Sequence, residues 1–406
     1  MKSYQYLIHR IKLAIPIIQL FPSYLKDSLI HQIIPLKKSD KRIIFTLDDE
    51  FLYRNDGGFG REAFYVLNTF SEGGYNVYFY RPSDFRSYWR LGFLGRLIYR
   101  IENLRFVSKL PVDTKNFIYA FDAIRPDFLK LSWKRLVHVN IKKSATCTIG
   151  NLIPMQFYMI PFIYAFGLDK KLVQYRNLKR KYRIFFGGSL NAVYYDSPFF
   201  KNKYPHLMTR LEGVRAVRGS EIDNWFIDNE EDLSKLINNK TYFNGLIIVE
   251  IKTSFPIQSK DWLKFLGQSD FFMCFSGTDY PICHNSVEAM AVGSIPILAY
   301  ADWFWPPLEH GKNAIVYTDK EDMIKKIKLV MNMSQEEIQR LRKGVLEYYD
   351  QYFSKGHMAR TYESQAKSIS TMTLFPKIVS DEKDDIKAKE FMVNFENLNI
   401  EEKIIK

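Results

Sequence analysis

Residues 271–300, FFMCFSGTDYPICHNSVEAMAVGSIPILAY, constrain the fold more tightly than any other stretch. An apolar run enters a loop of Gly, Asp and Pro. A short helix follows, Gly293 turns the chain, and a second apolar run spans Ile295 to Ala299. Strands buried on both faces read as continuous apolar runs, and a helix between two of them makes a parallel-sheet unit. In such a unit the loop and the helix start face a ligand crevice. Glu288 is the lone acidic residue of that helix. Buried without a partner it would be costly, which makes it a candidate ligand contact. The plainer alternative is a solvated side chain.

A similar unit opens the chain. RIIFTL, residues 42–47, reads as a buried strand, and a loop with Gly57, Gly58 and Gly60 follows. Phe64, Leu67 and Phe70 then recur at helical spacing, Gly73-Gly74 caps the helix, and NVYFY, residues 76–80, is the next strand. Glycines admit close backbone approach, and a helix N-terminus favours anions. Further strands are expected at 116–121, 135–141, 184–186 and 246–250, with a helix at 260–268. Ser334 and Glu337 have capping-box spacing, which starts a helix running to Tyr352. Another helix is expected at 360–365.

A chain of 406 residues suggests two domains. The expected division is a basic, apolar extension at 1–40, one Rossmann-like domain at 41–175, a second at 176–350, and a crossover helix with a charged tail at 351–406. The formal net charge of +13 favours anionic partners: nucleotide diphosphates, an anionic membrane surface or nucleic acid. No nucleic-acid module pattern is present, so nucleic acid is not expected as a partner. Cys147, Cys274 and Cys283 have neither metal-ligand spacing nor the look of a disulfide framework, which suits a reducing cytosol. Near the N-terminus the longest apolar run, Leu13 to Ile18, is too short to span a bilayer. No small-residue cleavage signature suggests a signal peptide. Residues 84–105, DFRSYWRLGFLGRLIYRIENLR, interleave Arg with aromatics. They read either as an amphipathic surface for anionic lipid or as a packed helix with a solvated Arg face.

The run NSVEAMAVGSIPILAY resembles the donor-binding segment of GT-B glycosyltransferases, and HGKNAIVY, residues 310–317, resembles a downstream segment of the same family. FFMCFSGTDYPICHNSVEA is similar to exostosin-type relatives. GGFGREAFYVLNTFSEGGYNVYFY resembles the opening of family 4 glycosyltransferases. The resemblance covers most of residues 42–80 and 184–365. It implies an α/β chain of the GT-B class, two Rossmann-like parallel-sheet domains facing across a cleft. It also implies a nucleotide-sugar donor, a UDP- or GDP-sugar, and no obligatory metal cofactor. Asp48-Asp49-Glu50 is the nearest acidic cluster to a metal site, but no clean Asp-x-Asp ends a strand.

By this resemblance Glu288 would hold the donor ribose. The diphosphate would sit on the helix start at His284, Asn285 and Ser286, on the Gly187-Gly188-Ser189 turn and near the Gly58 loop, joined by a cation from Arg215, Arg218 or Lys252. A base from the first domain would take the acceptor's proton, and Asp56, Glu62 and Asp122 are the candidates. Many retaining family 4 enzymes carry a second Glu eight residues before the ribose-binding one. That position is Tyr280 here, beside Asp279, which points to a divergent branch. The implied activity is a metal-independent hexosyl- or related transfer in bacterial surface polysaccharide biosynthesis, such as lipopolysaccharide or capsule. The acceptor would be a glycan or lipid-linked glycan, and the protein cytoplasmic, peripheral at the inner membrane face. A catalytically degenerate nucleotide-binding module and a sugar-nucleotide epimerase on the same fold are the alternatives.

Overall fold

The structure, a computed structural model, describes residues 20–29, 33–48, 59–123, 125–140, 150–252, 257–278 and 280–374. The chain divides into two compact units: Met1–Met155 with Lys355–Lys406, and Gln156–Ser354.

The first unit holds a seven-stranded parallel sheet. Its strands are β1 (Arg42–Thr46), β2 (Asn76–Tyr80), β3 (Leu104–Val107), β4 (Ile118–Phe121), β5 (Arg135–Asn140), β6 (Asn151–Pro154) and β13 (Ile369–Thr373), in the order β3-β2-β1-β4-β5-β13-β6. The helix Phe59–Glu72 crosses from β1 to β2 and buries the expected Phe64, Leu67 and Phe70. Phe70 meets Phe45, Tyr75 and Tyr362 at ring distances of 5.6, 5.3 and 5.4 Å. Gly73 has a packing reason beyond its cap role: a Cβ there would overlap the side chain of Ala359. The helix His357–Gln365 therefore lies directly against that turn.

The second unit holds a six-stranded parallel sheet of β7 (Tyr182–Gly188), β8 (Asn224–Ile227), β9 (Phe243–Glu250), β10 (Ser269–Met273), β11 (Ile295–Leu298) and β12 (Ile315–Val316), ordered β12-β11-β10-β7-β9-β8. The α/β class with two Rossmann-like parallel sheets is as the sequence implies. The expected capping box is formed: Ser334 and Glu337 bond reciprocally at the start of the helix Gln335–Tyr352.

Two features differ from expectation. The division between units falls at Met155/Gln156 rather than near residue 175. Residues after 155 are tied into the second unit by polar contacts. Ile160 N–H donates to Glu288, and Arg176 donates to Ala291 O and pairs with Asp350. The second difference is β13, which was not expected. It inserts between β5 and β6 although its sequence, ISTMT, is largely polar. Among the described residues no helix is long and apolar enough to cross a membrane. The stretch 84–105 is not one helix. It forms the short helices Phe85–Arg90 and Phe93–Arg96 and a 3₁₀ turn, burying Tyr88 and Tyr99 while exposing Trp89 and Phe93.

Candidate active site

In the second unit successive strands move from β7 out to β8 and β9, then cross to β10 on the other flank of β7. The carboxyl ends of β7 and β10 therefore lie side by side at a topological switch point, where open α/β sheets bind ligands. A cavity of roughly 210 Å³ opens there, between the Gly187-Gly188-Ser189 turn after β7 and the start of the helix His284–Ala291.

Gly187 has a steric reason to be glycine. A Cβ there would lie 2.8 Å from Cζ3 of Trp262, which lines the same cavity. Trp262 comes from the helix Ser259–Gly267, and its Nε1–H donates to Glu288 Oε2 at 2.6 Å. Gly187→Ala is thus expected to displace the indole and lower stability by about 1–3 kcal/mol, read by urea unfolding, with weaker ligand binding in parallel.

Glu288 is 0% exposed. Besides Trp262, the Ile160 N–H donates to its Oε1 at 2.8 Å, and His284 Nδ1 lies 2.9 Å from the same oxygen. The solvated alternative does not hold, and the buried charge has partners. Burial alone would raise this carboxyl. The charge of His284, one helical turn away, and the donors His284, Ile160 and Trp262 outweigh it and hold the group below the usual carboxylate range. A depressed folded value adds stability that is complete above the unfolded value of about 4.3 and is lost as pH falls through the lower folded value. Stability of the wild type is therefore expected to drop below about pH 4, and this drop should shrink in Glu288→Gln. Melting curves across pH 3–6 measure it.

The start of the helix His284–Ala291 faces the turn. Its N-cap, Cys283, makes no side-chain capping bond. The first N–H groups of a helix lack partners within it, and they carry the positive end of its dipole. Asn285 Nδ2 donates to Gly187 O at 3.4 Å, and Ser286 Oγ donates to Cys283 O at 2.6 Å. These bonds fasten the helix start to the turn. Burial pushes the Cys283 thiol up, but the charges of His284 and Arg210 prevail and hold it below its usual value.

Arg210 is the residue that sequence reasoning missed. It opens the helix Arg210–Arg218, whose Thr209–Glu212 capping box is formed. The residue is 2% exposed and lines the cavity. Its guanidinium donates to Ser189 O at 3.1 Å and Ser276 O at 3.3 Å, and the Tyr195 ring lies 3.7 Å from it. No carboxylate pairs with it among the described residues. A buried cation at a helix start, with neutral partners only, is unfavourable until an anion arrives. The Thr-x-x-Glu spacing at 209–212 would have placed Arg210 at a helix start from sequence.

Compared by sequence, the chain matches no family model and no curated protein. Solved structures do resemble it. A glycosyltransferase from Rickettsia africae ESF-5 is 11% identical with a TM-score of 0.44, over 80% of this chain and 98% of that one. Anabaena Alr3699/HepE in complex with UDP and glucose is 10% identical with a TM-score of 0.40, over 80% and 98%. The sucrose-phosphate synthase (tll1590) of Thermosynechococcus elongatus is 11% identical with a TM-score of 0.39, over 80% and 98%. All three likenesses have TM-scores below 0.5.

Of the donor residues expected from the sequence, Gly187, Gly188, Ser189, His284, Asn285 and Glu288 line this cavity, and Ser286 lies beside them on the helix start. The expected cations do not line it. Arg215 pairs with Asp196 at 2.9 Å, Lys252 pairs with Glu250 at 3.3 Å, and Arg218 lies over the Phe226 ring at 4.3 Å. They point outward because an exposed cation keeps its hydration, whereas Arg210 is buried by the capped helix start. Asp56, Gly58, Asp49, Glu50 and Asp279 lie outside the described residues. In the first unit, Glu62 is buried in the first turn of Phe59–Glu72. Asp122 follows β4, and its Oδ1 accepts the N–H of Asp48, which follows the neighbouring β1.

Proposed function

We propose that this protein is a glycosyltransferase that moves a sugar from a UDP- or GDP-sugar to a glycan or lipid-linked glycan. One observation carries the reading: the buried Arg210 guanidinium, without a carboxylate partner among the described residues, in a cavity shared with a glycine turn and a helix start. As the sugar's C1–O bond breaks, negative charge grows on the departing diphosphate. Preorganised donors in a dry site stabilise that charge. Arg210 and the N–H groups at His284 and Asn285 supply them without a metal ion. The Glu288 carboxylate orients the His284 imidazole by its Nδ1 contact, and His284 is assigned to a phosphate oxygen or a sugar hydroxyl. The remaining acceptor capacity of Glu288 is assigned to the ribose. The base that takes the acceptor's proton is assigned to Asp56, Glu62 or Asp122.

A role at the inner membrane face in bacterial surface polysaccharide biosynthesis completes the proposal, and an exposed patch of the first unit supports it. Phe21, Leu25 and Leu29 recur along one stripe of the helix at 20–29, and all three are exposed. That helix packs on the segment Phe85–Arg90 through the Phe21–Phe85 and Tyr24–Tyr88 ring contacts. The exposed Trp89 and Phe93 stand on this segment and just after it, with the exposed Arg86 and Arg90 among them. Aromatics beside arginines suit an anionic interface. Trp89→Ala/Phe93→Ala is expected to weaken binding to phosphatidylglycerol vesicles about tenfold, measured by co-sedimentation. Equal binding by the variant would remove the membrane assignment.

The test of function is a thermal-shift screen against UDP, GDP, ADP and CMP, followed by donor turnover with the matching nucleotide sugars. A selective shift with a diphosphate and release of that nucleotide on adding a glycan acceptor are the expected results. Binding without turnover of any donor would leave a nucleotide-binding module.

A further inference from the structure

The second unit has another cavity, of about 340 Å³, which runs along the helix Ser259–Gly267 to the start of the unit's central strand and shares Ile257 with the first. The donor cavity lies at Gly187–Ser189, past the end of β7; this one extends to Lys181 and Tyr182, where β7 begins. Its walls are the helices Ser259–Gly267 and Glu230–Asn238.

Three lysines line it. Lys260 and Lys264 stand one helical turn apart, and Lys181 joins them from the strand. None of the three ammonium groups has an ion pair or a side-chain hydrogen bond among the described residues. Asp261 is the one carboxylate of the lining, so the cavity keeps a net positive charge. The helix Ser259–Gly267 runs along the cavity, and its C-cap, Gln268, accepts the Lys181 N–H at 2.7 Å, which fixes Lys181 and Tyr182 at the helix's far end. Tyr182 adds an independent observation. It is 1% exposed, lines the cavity, and its hydroxyl has no hydrogen-bond partner. A buried hydroxyl left unpaired is costly and is the exception in folded proteins. Leu233, Ile237, Ile257 and Phe265 supply the apolar part of the lining.

We infer that this cavity binds a small phosphorylated ligand with an apolar body. The phosphate would be held at Lys264, midway along the helix, with Lys260 and Lys181 reaching it from either side and the Tyr182 hydroxyl as a further donor. A phosphate of this kind is carried both by soluble phosphomonoesters and by lipid headgroups. The inference stands apart from the donor site and does not depend on glycosyl transfer.

The experiment is calorimetric titration with three probes: inorganic phosphate, glycerol 3-phosphate and dihexanoyl phosphatidic acid. Each is added to the full chain, to Lys260→Ala/Lys264→Ala, to Tyr182→Phe and to Arg210→Ala. The expected result is binding that survives Arg210→Ala and weakens about tenfold or more in the lysine variant. Tyr182→Phe should weaken it several-fold without lowering the melting temperature, because the hydroxyl it removes has no partner. Preference for dihexanoyl phosphatidic acid identifies a lipid headgroup, and equal binding of glycerol 3-phosphate identifies a soluble phosphomonoester. Binding that persists in the lysine variant but disappears in Arg210→Ala would place the probe in the donor cavity and overturn the inference. So would the failure of all three probes to bind the wild type.

Discussion

Arg210→Ala is expected to weaken binding of the nucleoside diphosphate by about 2–3 kcal/mol, or roughly 30- to 150-fold. The variant loses charge-assisted hydrogen bonds to the diphosphate, made where water is largely excluded. The ligand-free protein should remain folded. The substitution forfeits the bonds to Ser189 and Ser276, but it also removes a buried cation that has no carboxylate partner among the described residues. Arg210→Lys should fall between the two. An ammonium keeps the charge but cannot hold two backbone carbonyls and an anion at once with a fixed fork of donors. Arg215→Ala and Lys252→Ala, which remove exposed and already paired cations, should change affinity little. Calorimetry at constant salt makes the comparison, since screening alters every phosphate interaction. Unchanged affinity in a folded Arg210→Ala protein would end the diphosphate assignment.

Glu288→Ala is expected to destabilise the second unit by about 3–5 kcal/mol, a large share of an ordinary folding free energy. It strands the Ile160 N–H, the Trp262 indole N–H and the His284 ring around an empty, fully buried site. Glu288→Gln keeps the volume but replaces one acceptor oxygen with an amide group that donates. At least one of the three partners then meets a donor, at a cost of about 1–3 kcal/mol. A role limited to the donor ribose would instead weaken donor binding by about 1–3 kcal/mol and leave the unfolding curve unchanged. Chemical denaturation of the ligand-free variants separates the two: a midpoint equal to wild type in Glu288→Ala would mean that the three contacts contribute nothing to folding.

Much of the architecture was legible because its signals are local. Continuous apolar runs became β1, β2, β4, β5, β9, β10 and β11, each within a few residues of expectation. Gly293 takes φ +75° just past the helix His284–Ala291, a backbone angle that glycine adopts without penalty. β13 was not legible for the converse reason. Ser370, Thr371 and Thr373 look like surface residues, yet all are buried, and Ser370 Oγ donates to Asn151 Oδ1 at 2.6 Å. A polar strand can be central when neighbouring strands bond its backbone and its hydroxyls find partners, and neither condition is visible in a single segment.

The same division holds for the site. The sequence by itself determined the class, two parallel-sheet units, and the address of the candidate donor pocket, at the turn after β7 and the helix carrying Glu288. Apolar periodicity, glycine turns and caps act over a few residues, so they can be read in order along the chain. Only the tertiary structure decided which charges enter the pocket. Glu288 turned inward to bond Ile160 and Trp262, 128 and 26 residues away, and Arg210, not Arg215, Arg218 or Lys252, became the cation of the pocket. Burial and partnership depend on the neighbours that folding brings together, and among many similar Lys and Arg side chains nothing local marks the one that will lose its water.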